Sequence, residues 1–291
     1  MLAGSEWTDA SDGAVIEVVN PATGAVVDTT PSATAEDIDR AISTALDAQP
    51  GWAARTVRER TMLLRGFARL VREQREDLGR ILSLETGKPY QAEAVREFDS
   101  VAYKFEAASE IAMHHYGSSM PIGIEPGYDD DIQFTIHEPL GVIACIVPFN
   151  FPASLWAFKS SAALAAGNAI VVKPPTVDPL AVIRLHELLE EAGIPAGVIQ
   201  CVTGSGAVVG AALASDDRIA QINFTGSTET GVSIAANAAK SLTPYMFELG
   251  GNDALIICED ADLDLAVSES GDKSRNSGQA CSAAKRFIVH N

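Results

Sequence analysis

Apolar residues recur along this chain in more than one rhythm. From 34 to 49, Ile38, Ala41, Ile42, Ala45 and Leu46 keep the three- and four-residue spacing of one helix face, Thr34 is placed to cap the first turn with Asp37 three residues on, and Pro50-Gly51 is expected to end the element. A second helix opens at Thr56, where Glu59 completes a capping box. Its stripe of Leu63, Phe67, Leu70, Val71, Leu78, Ile81 and Leu82 predicts one continuous element as far as Gly87 and Pro89. A third helix is expected over about 91–115, with Val95, Phe98, Ala102 and Phe105 on one face. The pattern predicts three helices ahead of any sheet.

Residues 118–140 break the rhythm. Pro121, Gly123, Pro126, Gly127 and the run Asp129-Asp130-Asp131 read as loop, after which Ile132, Phe134 and Ile136 alternate with polar residues as in a half-buried strand, so the stretch is expected to be an arm. From Gly141 apolar runs of strand length alternate with helical ones: strands at 141–147, 168–172, 198–202 and 219–224, helices at 152–166, 179–192, 205–214 and 228–239. Runs such as Ala169-Ile170-Val171-Val172 are apolar on both faces, as a parallel sheet covered on both sides requires. The fold class is α/β: a doubly wound, Rossmann-like parallel sheet with N-terminal helices, followed by the start of a second α/β unit.

Composition narrows the function classes. The 291 residues suggest about two domains, and 47% hydrophobic residues suit a soluble chain with a sizeable core. Lys and Arg number 21 against 39 Asp and Glu, a net charge of −18, which disfavours a nucleic-acid partner. Cys145, Cys201 and Cys258 sit in apolar runs and are expected to be core residues in a reducing compartment. No H-E-x-x-H or C-x-x-C spacing occurs, so no metal is expected. The start of the chain lacks a basic region followed by an apolar one, and no segment holds the about eighteen unbroken apolar residues of a membrane span, so a cytoplasmic protein without a membrane partner is expected.

In doubly wound sheets ligands sit at the carboxyl ends of strands, which draws attention to the residues leaving each strand. Gly204-x-Gly206-x-x-x-Gly210 follows a strand and opens a helix, but it is one residue longer than the dinucleotide fingerprint, and tight helix packing explains it equally. Phe224-Thr225-Gly226-Ser227-Thr228-Glu229-Thr230-Gly231 offers amide and hydroxyl donors at a helix start, for a phosphate or as a simple cap. Lys173, directly after a strand, is either a reach toward ribose or phosphate or a solvated strand end. Glu248 closes the apolar run Tyr245-Met246-Phe247 and is either a base or a surface carboxylate. In Arg275-Asn276-Ser277-Gly278-Gln279-Ala280-Cys281-Ser282 one cysteine stands among small and polar residues, as a reachable nucleophile or a small turn residue. A free thiol with a pKa of ~8.5 is only slightly ionised at neutral pH and needs help to attack a carbonyl.

Taken together, Pro148-Phe149-Asn150-Phe151-Pro152, Lys173-Pro174-Pro175, Phe224-Thr225-Gly226-Ser227, Phe247-Glu248-Leu249-Gly250-Gly251 and Gly278-Gln279-Ala280-Cys281 resemble, in order and spacing, the NAD(P)-dependent aldehyde dehydrogenase superfamily. The resemblance runs over essentially the whole chain. It implies that Cys281 attacks an aldehyde, that the Asn150 amide and the Cys281 N–H hold the oxyanion, and that Glu248 activates the water that hydrolyses the thioester. It further implies a cofactor held by Phe149, Lys173, Pro175, Thr176, Gly206, Gly210, Phe224, Gly226, Ser227, Thr230 and Leu249. The domains implied are a cofactor-binding domain from 1–117 and 141–248, an oligomerisation arm at 118–140, and the N-terminal part of a catalytic domain at 249–291.

Within that resemblance, Glu248 favours a hydrolytic dehydrogenase over one that passes its acyl group to coenzyme A. Thr176, where many NAD-preferring relatives carry glutamate, implies that NADP is accepted alongside or ahead of NAD. The partner is a small aldehyde. Lys273 and Arg275 read either as selectors of an acidic semialdehyde or as solvated helix charges. A homo-oligomer is implied for the family. The chain ends ten residues after Cys281, so it reads as a fragment of a longer enzyme or as a short product, the latter leaving a non-catalytic nucleotide-binding protein as the second hypothesis.

Overall fold

The computed structural model describes residues 1–123 and 126–290. Its first elements are strands, contrary to the expectation of three helices before any sheet: β1 (Val15–Val19) and β2 (Val26–Pro31) pair antiparallel, Val15 opposite Pro31 and Val19 opposite Val26. The signal was present in two β-branched runs flanking Asn20-Pro21-Ala22-Thr23-Gly24, where Gly24 takes a φ of +72° that closes the turn. Only Val18 and Thr30 of the pair are buried, so the apolar periodicity is weak.

Helix α1 (Ala35–Ala53) starts at the expected capping box on Thr34 but runs through Pro50. Trp52 holds the extra turn, buried and donating its indole N–H to the Leu164 carbonyl at 3.0 Å. The expected second helix is two, α2 (Val57–Glu73) and α3 (Arg75–Thr86), broken at Gln74 with φ −103° and ψ 9°. A straight helix over 57–86 would run about 45 Å, whereas the element both pieces cover, α4 (Val95–Met113), spans about 28 Å. The bend keeps both apolar stripes on it. A π turn over Tyr90–Ala94 leads into α4.

The strand expected around Ile132–Ile136 does not form. A single bridge joins Ser119 to Phe134, and Ile132, Phe134 and Ile136 are exposed. Alternation supplies a strand-like face, but among the described residues no neighbouring strand completes a ladder. Residues 124 and 125 of the expected arm, and residue 291, lie outside the described residues.

From Gly141 the expected alternation appears. Strands β3 (Val142–Ile146), β4 (Ala169–Lys173), β5 (Ile199–Cys201), β6 (Gln221–Thr225) and β7 (Tyr245–Glu248) form one parallel sheet in the order β5-β4-β3-β6-β7. The connecting helices are α5 (Pro152–Ala165), α6 (Leu180–Glu191), α7 (Ala211–Ser215), which a π turn over Gly206–Gly210 precedes, and α8 (Thr228–Ala238). Alternate β3 residues feed two cores. Ile143, Cys145 and Val147 join α2, α4, α5 and α6, with Phe67, Phe105 and Trp156 in mutual ring contact. Val142, Ala144 and Ile146 join α1, α7 and α8. The order reverses between β3 and β6, the switch point where this architecture opens a crevice.

The last segment forms β8 (Ala254–Ile257), α9 (Leu263–Gly271) and β9 (Arg286–Val289), with β8 and β9 parallel. Here Cys258 is exposed rather than in the core, because it follows a strand that is at most half-buried, while Cys145 and Cys201 are buried and their thiols pushed up to about 12 by desolvation. Among the described residues no three His, Cys, Asp or Glu group as metal ligands, and no helix is long and apolar enough to cross a membrane.

Candidate active site

The segment leaving β3 meets the turn that carries Cys281, and Gly251, after β7, comes close to the Cys281 carbonyl. Asn150 follows β3, and its amide nitrogen donates to the Gln279 carbonyl at 2.7 Å. In return the Asn276 amide donates to the Asn150 carbonyl at 2.6 Å, and the Asn276 N–H donates to both carboxylate oxygens of Glu93 at 3.0 and 3.2 Å. Glu93 stands on the π turn before α4, an irregularity of the sort that often marks a functional place. The Cys281 turn is thereby tied to both the sheet and the helical layer.

Backbone geometry sharpens this turn. Asn276 and Ser277 take φ values of +48° and +56°, and Gly278 takes +79°, three consecutive left-handed residues. Glycine adopts this freely and asparagine tolerates it, but serine there costs about 1–2 kcal/mol. Lys285 gathers the far side, donating to the carbonyls of Cys281 at 2.7 Å and Ala283 at 2.9 Å. Cys281 is exposed. A cavity of about 400 Å³ beside it is lined by Phe151, Asp253, Lys273, Arg275, Ala280 and Ser282. Lys273 and Arg275 therefore stand at the cysteine turn, Lys273 with its ammonium 5.6 Å from the centre of the Phe287 ring.

Glu248 ends β7 in register with Thr225, and its carbonyl accepts the Gly226 N–H at 3.1 Å. Its carboxylate is exposed, and among the described residues no hydrogen bond joins it to Cys281. Beneath it lies Lys159, whose ammonium donates to Thr225 Oγ1 at 2.5 Å. Burial pushes the Lys159 pKa down, against the pull of the Cys145 thiol and the Glu248 carboxylate.

The remaining candidates line the sheet's carboxyl edge. Lys173 is buried at the end of β4, its ammonium donating to the Pro174 carbonyl at 2.9 Å and to Thr176 Oγ1 at 3.4 Å, and burial pushes its pKa down to about 8. Pro175 is buried; Thr176 Oγ1 donates to the Gly204 carbonyl at 3.0 Å. Across this edge, a Cβ built on Gly206 would meet nothing within 4 Å, leaving open space over the π turn, whereas Gly210 faces the Lys173 stem at 3.9 Å. Gly226 has no such room: a Cβ there would come within 2.4 Å of the Phe224 ring, which packs edge-on against Phe247. Ser227 caps α8, accepting the Thr230 N–H at 3.2 Å, with the Thr230 hydroxyl 2.9 Å away. Leu249 packs against Gly231 of α8. Phe149 is half exposed and lines a cavity of about 480 Å³ with Asn150, Val177, Asp178 and Gln279.

Several residues of this neighbourhood were not singled out from sequence. Lys159 carried a signal, as the one charge in the otherwise apolar helix Pro152–Ala165. Glu93 and Lys285 carried none, since each reaches the cysteine turn only through tertiary folding. Open space over a glycine turn, a buried lysine beside it and a capped helix N-terminus fit a dinucleotide. An exposed cysteine tied to an amide donor fits attack on a carbonyl.

Known proteins place the chain. The profile of the aldehyde dehydrogenase family matches residues 7–291. Glutarate-semialdehyde dehydrogenase of Pseudomonas putida is 42% identical over 98% of this chain and 58% of its own length. Succinate-semialdehyde dehydrogenase [NADP(+)] of Escherichia coli is 40% identical over 99% of this chain and 59% of its own. A crystal structure of an E. coli NADP dependent enzyme superposes with a TM-score of 0.96 at 40% identity, covering 99% of this chain and 59% of the other. That of an aldehyde dehydrogenase from Brucella melitensis biovar abortus gives 0.95 at 41% identity, with the same coverage. The chain thus spans a little under three-fifths of the length of these relatives. By the family profile, by these relatives and by its sheet order, this chain belongs to the aldehyde dehydrogenase family.

Proposed function

We propose that this protein oxidises an aldehyde bearing a carboxylate at its far end to the corresponding acid, with NADP or NAD as acceptor. The observation that carries the reading is the Asn150 amide bonded into the turn that holds the exposed Cys281. The relatives named for glutarate and succinate semialdehydes support the substrate class, and the one named for NADP supports the cofactor.

The Cys281 thiolate attacks the aldehyde carbon, a carbon–sulfur bond forms, and the carbonyl electron pair moves onto oxygen. That oxyanion accepts hydrogen bonds from the Asn150 amide and the Cys281 N–H, a contribution worth several kcal/mol in such sites. A bound nicotinamide supplies the acceptor for the hydride. Lys173 and Thr176 hold the adenosine end, with Pro175 shaping the turn between them. Gly206 leaves room along the sheet edge, Gly210, Phe224 and Gly226 shape that edge beside it, Ser227 and Thr230 meet the pyrophosphate at the start of α8, and Phe149 and Leu249 border the nicotinamide. Glu248 takes a proton from the water that opens the Cys281 thioester, releasing the acid and restoring the thiol. Residues 1–117 and 141–248 act as the cofactor-binding domain, 118–140 as an arm, and 249–291 as the first part of the catalytic domain.

The test is aldehyde-dependent growth of absorbance at 340 nm with glutaric or succinic semialdehyde and either cofactor, for the protein and for Cys281→Ala. Turnover that vanishes in Cys281→Ala while cofactor binding persists is expected. Undiminished turnover in Cys281→Ala overturns the reading, and acyl-CoA in place of free acid when coenzyme A is added overturns its hydrolytic half.

A further inference from the structure

A cavity of about 540 Å³ lies between α4 and α5, lined by Ala108, Ile111, Ala162 and Ala165 among other apolar residues and also by Arg60 and Glu138. Lys104 and Phe158 also line it. The Lys104 ammonium stands 4.1 Å from the centre of the Phe158 ring, donates to Ser154 Oγ at 2.8 Å, and donates to Ser100 Oγ as well. The carboxylate whose charge acts on it, Glu97, is engaged elsewhere. It accepts the Lys88 ammonium at 2.6 Å and the Ser154 N–H at 2.9 Å.

Lys104 is thus a cation, partly stripped of water, whose partners are two hydroxyls and an aromatic face. Burial pushes its pKa down to about 8, the direction expected when no anion compensates lost hydration. A lysine that serves stability alone extends its ammonium into water or pairs it. This one is instead fixed by three side chains at a cavity wall, in the arrangement of a preformed anion receptor.

Its position relative to Cys281 follows from the chain. Ser154 lies in the first turn of α5, four residues after Asn150, so the two backbones are at most about 14 Å apart. Asn150 in turn holds the turn of Cys281. A short aliphatic chain with an aldehyde at one end and an anion at the other spans a separation that lies within that bound. We propose that Lys104, seated on Ser100, Ser154 and Phe158, receives the far carboxylate of the substrate and is the residue that selects a semialdehyde over an uncharged aldehyde. The inference rests on the catalytic reading of Cys281 given above. Lys273 and Arg275, at the other cavity beside the cysteine turn, are the rival receptors.

The experiment compares kcat/KM for glutaric semialdehyde and for pentanal in the full chain, in Lys104→Met, Lys104→Arg and Lys273→Met. Lys104→Met is expected to lose about tenfold or more on the semialdehyde, mainly through KM, and to stay within about twofold on pentanal, as removal of one charge-assisted contact predicts. Lys104→Arg should keep most of the selectivity, and Lys273→Met should leave it unchanged. An equal loss on both aldehydes, no loss on either, or a loss of selectivity in Lys273→Met in place of Lys104→Met overturns the assignment. If no aldehyde is turned over, the catalytic reading fails, and calorimetric binding of glutarate decides the receptor separately. Affinity about tenfold weaker in Lys104→Met supports it, and equal or absent binding in both proteins overturns it.

Discussion

Asn150 and Gln279, 129 residues apart in sequence, are joined by a hydrogen bond of 2.7 Å from the Asn150 amide to the Gln279 carbonyl. The bond spans from the end of β3 to the turn that presents Cys281, so in the proposed reaction one side chain would both position the nucleophile and stabilise charge beside it. Asn150→Ala is expected to lower kcat by about 10²–10³ with a smaller change in KM. Iodoacetamide labelling of Cys281 should show whether the turn also shifts, and an undiminished kcat would contradict the oxyanion role.

In the proposed reaction Glu248 acts in deacylation and not in acylation. In Glu248→Gln the thioester should still form but open slowly, so a rapid burst of about one reduced nicotinamide per active site precedes a slow steady rate. Stopped-flow absorbance at 340 nm checks it. A loss of the burst together with the steady rate would place Glu248 at the first step instead.

Thr176 donates to the Gly204 carbonyl at the turn after β4, next to Lys173, and brings no charge to this edge. Thr176→Glu would place a carboxylate there, which repels a 2′-phosphate and accepts a 2′-hydroxyl. Fluorescence titration is expected to show a loss of NADP affinity much larger than any change for NAD, and equal losses would refute the claim.

Asp37 couples the start of α1 to the loop before β1. Burial alone would raise its pKa, but hydrogen bonds from the Ser11 hydroxyl and N–H and from the Thr34 N–H and hydroxyl outweigh it and hold the carboxyl below the usual carboxylate range. Because the folded pKa is depressed, this stability is present at neutral pH and is lost as pH falls below about 4 toward the lowered value. Asp37→Asn should cost about 1–3 kcal/mol at pH 7, with the difference from the parent narrowing in acid. Urea unfolding at pH 7 and pH 3 measures both.

The doubly wound sheet was legible because each buried strand writes an unbroken apolar run, and each covering helix a 3.6-residue stripe, whatever its neighbours are. Caps at Thr34, Thr56 and Ser227 were legible for the same reason: a cap is settled by side chains three residues apart. The β1–β2 hairpin was missed because it buries little. The bend at Gln74 was missed because periodicity records which face is apolar and not the length of the element that face must cover. The alternation at Ile132–Ile136 misled, since a strand needs a partner as well as a pattern.

At the candidate site the division is the same. Sequence by itself determined which residues stand at strand ends, where local apolar patterning settles the fold: Asn150, Lys173, Thr225 and Glu248. Only the tertiary structure decided that Glu93 and Lys285 grip the cysteine turn, that Lys159 lies under Thr225, and that Lys104 rests on Ser100, Ser154 and Phe158. Those contacts join segments tens to hundreds of residues apart through single side chains, and a lone lysine or glutamate in a sequence carries no mark of the partner that folding brings to it.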